Sequence, residues 1–466
     1  MKEKVVLEKV RIIGIADKGK AIGRDEEGRV VLVNDVVPGD VVHVEITRKK
    51  KNYWYGKPYR FVSYSDERVD PLCKHFEDCG GCKWQNLSYS AQLHFKEIVV
   101  RDALERISKI KQADYKPIIG VEDPYYYRNK LEYTFSNRKW ITRKELSGLN
   151  NNQTAYVAGF HPAGFFNKVV DIETCHLQKG DSNAIRNFIK EYCENRQLPL
   201  YDPVRHNGWL RNVIVRNTMT GEQMLIVSFS NENMAERECL LKSIIDTFPQ
   251  ITTLLYVINT TKNADLSGAV FHLYSGPGYI VEEIGRFKYK IGPQSFFQTN
   301  SFQTKRLFDV IKDFASLTGN ETVWDLYSGI GAITLYLAVW CKKIFGFEEV
   351  PEAVKLSKEN AHINGIKNVT FFQGDVKEIL KTTTDLTDKM PDVIITDPPR
   401  IGMHKEVVDH IKMIGPRRII YVSCNPATQA RDIGCILDDY RLVTSQPIDM
   451  FPHTSHVENV ALLEKM

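Results

Sequence analysis

The sequence predicts an α/β protein in three parts: a small N-terminal β-barrel, a mixed α+β central domain and a C-terminal doubly wound parallel sheet. Three observations carry this reading. A length of 466 residues, at about 150 per domain, asks for roughly three domains. Residues 1–64 break into short strands separated by Gly- and Asp-bearing turns. After Gly292, short apolar strands alternate with helical stretches, the pattern of a parallel sheet. With 43% hydrophobic and 26% charged residues, 19 Pro and 29 Gly, the chain is neither disordered nor collagenous, and it carries no internal repeat or low-complexity run.

In chain order, the barrel (1–64) is read from strands at Val5 to Ile15, Gly28 to Val33 and Val41 to Ile46, with Pro38-Gly39-Asp40 as a turn. The central domain (65–292) opens on a cysteine cluster. A long helix near 88–110 comes next, where Leu93, Ile98, Val99, Leu104 and Ile107 recur at helical spacing, and it is expected to pack on the C-terminal domain. Strand patterns succeed it at Lys130 to Phe135, Val213 to Val215 and Met224 to Phe229, with helices near 181–195 and 235–248. The C-terminal domain (293–466) is read from strands at 322–325, 343–347, 369–372, 393–396 and 419–423.

A formal net charge of +4 is too small to imply a nucleic-acid partner by itself. Its distribution says more, because residues 1–64 hold 14 basic and 9 acidic side chains, leaving 48 basic and 49 acidic in the other 402. All the positive excess lies in the barrel. Met1-Lys2-Glu3-Lys4 leads into strand-like sequence without the apolar stretch of a signal peptide, and no run of about 18 uncharged apolar residues occurs. The expectation is a cytoplasmic protein with no membrane partner and no evident obligate protein partner. Nine Cys in that setting point to metal or catalysis rather than a disulfide framework, because the cytosol keeps thiols reduced.

In an open α/β sheet, ligands bind beyond the carboxyl ends of the strands. The first strand ends Asp325-Leu-Tyr-Ser-Gly-Ile-Gly331 and opens a helix. Gly329 and Gly331 would let a ligand approach the backbone; Thr334 replaces the third Gly of a dinucleotide fingerprint, and a plain tight turn fits the pattern as well. The second strand ends at Glu348, 17 residues after Gly331, where a carboxylate can bind a ribose diol. Asp375 stands after the third strand and can pair with an adenine amine or cap a helix. The fourth ends Asp397-Pro-Pro-Arg400, whose prolines lack N–H donors and fix an extended backbone. The fifth ends Ser423-Cys424-Asn425-Pro426, placing on this edge a thiol that becomes a carbon nucleophile when a base or a lowered pKa supplies the thiolate.

These segments, with Gln294-Ser-Phe-Phe-Gln-Thr-Asn300 and His453-Thr-Ser-His-Val-Glu-Asn459, resemble the RNA (uracil-5-)-methyltransferases over nearly the whole chain. The resemblance implies a Rossmann-like methyltransferase domain that uses S-adenosylmethionine, and an OB-like, RNA-binding TRAM barrel at the N-terminus. It implies Cys424 as the nucleophile that adds to carbon 6 of uracil, and Glu458 as the base that removes the carbon 5 proton after methyl transfer. For S-adenosylmethionine it carries over Gln298, Tyr327, Glu348, Asp375 and Asp397.

Cys73, Cys79 and Cys82 have C-x5-C-x2-C spacing, and Cys175 lies far along the chain. Four thiolates suit a tetrahedral zinc or an iron–sulfur cluster, and spacing does not choose between them; the resemblance to the 23S rRNA branch implies a 4Fe-4S cluster. Arg48-Lys-Lys-Lys51, with Tyr53, Trp54, Tyr55 and Tyr59 just after it, combines phosphate-neutralising charge with stacking faces, and doubles as a solvated loop beside core aromatics. Arg128 and Lys130, in Tyr125-Tyr-Tyr-Arg-Asn-Lys130, are expected RNA contacts by resemblance; Phe296 and Phe297 stack on the base or belong to the core. The expected activity is uridine-5 methylation of 23S rRNA on a splayed-out base. The tRNA T-loop branch is the nearest alternative and lacks the barrel and cysteine cluster; cytosine-5 transfer is opposed by Glu458. A noncatalytic RNA-binding or assembly role is opposed by the retention of both Cys424 and Glu458.

Overall fold

The computed structural model describes every residue except 1–4, 17–18, 143–144, 146–154 and 387–389. The reading of the N-terminal Met1-Lys2-Glu3-Lys4 thus lies outside the described residues. Strands Val6–Ile15, Ala21–Arg24, Val30–Val33, Tyr53–Ser63 and Val41–Lys49 close in that order into a barrel. Alternation along them turns Val10, Ile12, Val31, Val33, Val42 and Val44 inward. The Arg48–Lys51 run ends strand Val41–Lys49 and enters the hairpin turn, closed by the Lys50 N–H donating to the Tyr53 carbonyl (3.0 Å). The barrel is seated on the start of the central domain: Ile15 and Val37 pack with Trp84, Leu87 and Ala91. The buried carboxylate of Asp40 accepts both arms of Arg68 at 2.8 and 2.7 Å.

The central part is a seven-stranded sheet in the order His272–Ser275, Thr253–Ile258, Gln223–Phe229, Leu210–Asn217, Lys130–Ser136, Val157–Phe160, Val170–Asp171, with helices Ser182–Asn195 and Met234–Thr247. The C-terminal sheet has eight strands: Val369–Gln373, Lys343–Glu348, Thr322–Leu326, Val393–Thr396, Arg418–Ser423, Glu458–Lys465, Tyr440–Ile448 and Asp114–Tyr115. The first five run parallel and their order reverses beside Thr322–Leu326, which puts a ligand crevice at the carboxyl ends there. The α/β class, the barrel and the five expected parallel strands are all present.

The edge strand Asp114–Tyr115 and the helix Tyr89–Arg106 come from before residue 293 yet belong to the C-terminal layer. Val100 and Leu104 share a core with Ile433 and Tyr440, and the Ser108 hydroxyl donates to the Ala430 carbonyl (2.6 Å). The helix starts at Ser88, whose hydroxyl accepts from the Ala91 N–H. Its buried stripe differs from the expected one: Ala91, Gln92, Lys96, Val100 and Leu104 face inward while Ile107 is exposed. Two polar side chains are tolerated in that stripe because loop residues far along the chain hydrogen-bond them. No helix among the described residues is long and apolar enough to cross a membrane.

Candidate active site

Antiparallel pairing brings the two central residues together. Strands Arg418–Ser423 and Glu458–Lys465 pair with Ser423 opposite Asn459, so one step further along this register Cys424 meets Glu458 at the strand end. Asn459 is fixed by Ser445 (2.9 Å) and Gln429 (2.8 Å). Burial pushes the Cys424 thiol up to about 11, the Glu458 carboxylate adds to the effect, and Arg400 opposes it. Burial likewise raises the Glu458 carboxyl well above the usual range, with Asp397 adding and Arg400 opposing. A buried carboxylate with high proton affinity beside a thiol has the properties of a base facing a nucleophile.

Cys424 lies where a strand turns into the helix Pro426–Gly434, with Pro426 at its first position and the Asn425 side chain accepting from the Ala427 N–H. The Asn425 amide donates to the Arg400 carbonyl (2.9 Å), while Asp432 accepts from Tyr421 (2.7 Å) and from the Met403 N–H (2.8 Å). These bonds tie the 400–403 loop down beside Cys424 and leave Arg400 and Ile401 exposed at the mouth.

The crevice of the parallel sheet holds most of the expected cofactor residues in a row. Tyr327, Gly329 and Gly331 have φ of 66°, 56° and 79°, alternating left-handed positions in a turn that opens the helix Ala332–Ala338. At Gly331 a Cβ would stand 2.9 Å from the Phe371 ring, so this glycine is required on two counts. The Glu348 carboxylate accepts the Gly329 and Val350 N–H groups, both at 2.9 Å. Asp375 accepts the Lys377 N–H (2.9 Å) at the start of helix Val376–Leu386. Tyr327, half-buried, is raised to about 12 by burial and by Asp375 and Asp432. Asp397 is raised to about 7 by burial.

Sequence reasoning passed over Asp325. It lies buried one residue before the end of the first strand; its Oδ2 accepts from Thr334 and its Oδ1 has no partner among the described residues. Burial raises it to about 7. The Ser328 hydroxyl, also buried, is unpartnered too. A carboxylate at the strand end just ahead of Gly-x-Gly was the available signal.

Gln298 lies buried on a different segment, suspended from the central domain. Asn129 donates its amide to the Gln298 carbonyl (2.8 Å) and its N–H to the Thr299 carbonyl (2.8 Å), and Arg216 donates to the Ser295 carbonyl (2.6 Å). Asn300 ties the same segment to the Met450 carbonyl (3.2 Å). Phe297 is core, packed on Tyr289, whereas Phe296 is 71% exposed.

Cys73, Cys79, Cys82 and Cys175 are free thiols lining one cavity of about 300 Å³. Burial raises all four, Cys79 to about 12 and Cys82 to about 11. Among the described residues, no group of three or more His, Cys, Asp or Glu side chains forms a metal-holding cluster; the four thiols line a shared cavity, and neither iron–sulfur nor zinc is shown. Arg128 and Lys130, expected as RNA contacts, also line this cavity. The Arg128 Nε is buried without a partner, and Cys82 and Cys175 attract its charge. On the barrel, Trp54 lies between Arg29 (3.9 Å) and Lys49 (4.2 Å), while Tyr59 is 67% exposed.

Comparisons with known proteins agree with this geometry. Residues 7–58 match the TRAM domain, and residues 279–466 match the family described as tRNA (Uracil-5-)-methyltransferase. A protein of Porphyromonas gingivalis described as an uncharacterized RNA methyltransferase is 45% identical over 97% of this chain and 99% of its own. One of Bacteroides thetaiotaomicron with the same description is 45% identical over 97% and 100%. The crystal structure of the Pyrococcus abyssi tRNA (uracil-54, C5)-methyltransferase in complex with S-adenosyl-L-homocysteine superposes with a TM-score of 0.74 at 27% identity, covering 99% of this chain and 100% of that one. That likeness spans the barrel, so the barrel does not separate rRNA from tRNA enzymes, contrary to the sequence reading. The chain belongs to the RNA (uracil-5-)-methyltransferase family and carries that family's domain behind an N-terminal TRAM domain.

Proposed function

We propose that the protein methylates carbon 5 of a uridine in structured RNA with S-adenosylmethionine, through a covalent adduct on Cys424 that Glu458 resolves. The observation that carries this is the strand register ending with Ser423 opposite Asn459, beyond which the Glu458 carboxylate lies near enough to the Cys424 thiol to raise its proton affinity. When bound, S-adenosylmethionine would supply an electrophilic methyl group, its sulfonium becoming the thioether of the departing S-adenosylhomocysteine as the methyl–sulfur bond breaks. Its expected residues fit it: the left-handed Tyr327–Gly331 turn gives backbone access, Glu348 at the end of the second strand would bind the ribose, and the Asp325 Oδ1, without a partner among the described residues, suits an ammonium group. Gln298, Asp375 and Asp397 complete the set.

The Cys424 thiolate adds to carbon 6 of a flipped-out uracil, and the electron pair moves to carbon 5, which takes the methyl group. Glu458 then accepts the carbon 5 proton, the carbon–sulfur bond breaks, and the thiolate returns. Arg400 lies where it favours both anions, lowering the proton affinity of Cys424 and of Glu458.

For the RNA, 23S rRNA is proposed on the resemblance to the rRNA branch; a tRNA T-loop uridine is the second reading, favoured by the whole-chain likeness to the P. abyssi enzyme. For the cysteine site we propose a 4Fe-4S cluster held by Cys73, Cys79, Cys82 and Cys175, since a cavity of about 300 Å³ leaves room for more than one ion, and the cation of Arg128 answers the negative charge of a thiolate-ligated cluster. It would serve as structure rather than as a reactant.

The decisive experiment incubates the protein with 5-fluorouridine-substituted RNA and S-adenosylmethionine. Fluorine cannot leave as a cation, so a covalent complex accumulates, and Cys424→Ala abolishes it. Normal methylation by Cys424→Ala would refute the mechanism, and Glu458→Gln should trap methylated RNA on the enzyme. Methylating 23S rRNA and tRNA transcripts in parallel chooses the substrate. Iron and acid-labile sulfide in anaerobically prepared protein identify the cluster; stoichiometric zinc instead would overturn it.

A further inference from the structure

The segment between strands Tyr440–Ile448 and Glu458–Lys465 is a hairpin loop closed at its base by Ile448 opposite Glu458. Several distant parts of the chain converge on it. His453 lies there buried with φ of 63°, a left-handed conformation uncommon for a residue with a side chain. Its N–H donates to Gln92 Oε1 (2.8 Å), and its carbonyl accepts from the N–H groups of Lys83 (2.8 Å) and Trp84 (3.1 Å). Its Nδ1 lies 3.2 Å from Gln92 Nε2, and its ring stacks at a tilt on Tyr125 with centroids 4.4 Å apart. Gln92, fully buried, also donates to the carbonyls of Trp84 and Leu87, both at 2.9 Å.

Neighbouring contacts repeat the pattern. Tyr127 donates to the Pro452 carbonyl (3.1 Å), and Lys96 pairs with Asp449 (2.6 Å) and donates to the Phe451 carbonyl (3.0 Å). The barrel reaches the same loop: a Cβ on Gly19 would stand 2.7 Å from Ser455 Cβ. Within the loop the Thr454 hydroxyl donates to the Phe451 carbonyl (2.8 Å) and accepts from the His456 N–H (3.2 Å), so little slack separates His453 from Glu458.

We propose that His453, gripped by Gln92 and by the Lys83–Trp84 turn, is a positioning residue that aims Glu458 for proton removal, so that the N-terminal half of the chain governs release of the methylated RNA. This rests on the reading of Glu458 as the base. A non-glycine residue at positive φ persists only where its surroundings hold it. Loosening the grip lets the backbone relax and the carboxylate drift, and a displacement of about 1 Å can cost a catalysed step up to roughly 100-fold. Nothing in the grip supplies the nucleophile, so formation of the adduct and methyl transfer are left alone.

The test is single-turnover kinetics that separates methyl transfer from release, scoring the fraction of methylated RNA still covalently attached. His453→Ala and Gln92→Ala should transfer methyl at near the wild-type rate and release about tenfold more slowly, with adduct accumulating. His453→Asn, which tolerates the left-handed conformation and keeps a hydrogen-bonding side chain, should restore release. Equal slowing of both steps, or release at the wild-type rate, overturns the proposal. Should an Ala variant fail to fold, Gln92→Glu, which keeps the acceptor for the His453 N–H and loses the donors, is read in its place: selective slowing of release supports the proposal and wild-type release refutes it. Glu458→Gln runs alongside. If it releases promptly, the base reading itself has failed; if it traps RNA while the His453 and Gln92 variants do not, only the positioning role has.

Discussion

Removing the base should make the nucleophile more reactive. Burial and the neighbouring Glu458 move the Cys424 thiol from 9.0 to about 11. Two units correspond to an about 100-fold smaller thiolate fraction at neutral pH than an unperturbed cysteine has. Because only the thiolate is alkylated, Cys424 in the free protein should react with iodoacetamide about 100-fold more slowly than an exposed cysteine. Glu458→Gln keeps the shape and deletes the negative charge. Burial, the larger cause, remains, so the variant recovers part of the deficit: roughly three- to tenfold faster alkylation at pH 9, one pH unit being a factor of ten. Timed alkylation with peptide mass spectrometry measures this, with exposed Cys239 and Cys435 as internal references. Equal or slower labelling of Cys424 in Glu458→Gln at pH 9 would refute the electrostatic coupling, whereas general damage to the site would expose other buried thiols as well.

The same geometry sets three further outcomes. Lys96 and Asp449 form an ion pair with neither side chain exposed, so Lys96→Met leaves an uncompensated buried carboxylate and should cost about 3–5 kcal/mol in urea unfolding; a loss under about 1 kcal/mol would contradict it. His453 is held neutral, with its pKa lowered by burial from 6.5 to about 4. Between those values the unfolded chain binds the proton first, so this contribution is complete above pH 6.5 and is lost as pH falls through 4, by at most roughly 3 kcal/mol, and His453→Asn should flatten the decline in stability measured from pH 7 to 4.5. Gly331→Ala forces a Cβ against Phe371 at a φ of 79°, which should destabilise the fold by about 1–3 kcal/mol and weaken S-adenosylmethionine binding by calorimetry; unchanged values would mean that the turn is slack.

What was legible in the sequence was what repeats locally. The five parallel strands were found to within a residue or two because buried parallel strands read as unbroken apolar runs. Strand Asp114–Tyr115 has two residues and no pattern of its own; it exists because the Tyr440–Ile448 edge is there to pair with. The helix Tyr89–Arg106 was visible and its inward stripe was not, since the buried Gln92 and Lys96 both take partners more than 350 residues away. In the site, Cys424 and Glu458 were legible as motif residues, while Asp325 stood inside a quoted segment whose glycines took the attention. Arg128 and Lys130 were legible as cations in a motif, but that they line the same cavity as the four thiols was not, because Cys175 is brought beside them only by the fold.

The same placements argue against a catalytic domain that could be cut free at residue 293. The C-terminal sheet takes its edge strand from residues 114–115 and part of one core from Val100 and Leu104. The Gln298 segment hangs from Asn129 and Arg216, and the loop ahead of Glu458 is held by Gln92, Lys96 and the Lys83–Trp84 turn. A fragment of 293–466 would keep Cys424 and its strand while exposing an apolar face and losing the supports of both segments that flank the nucleophile. The turn just after Cys82 and the chain on either side of Arg128 make those supports, so whatever orders the four cysteines also orders the cleft. The cluster proposed for these thiols would therefore be required for the reaction without taking part in it.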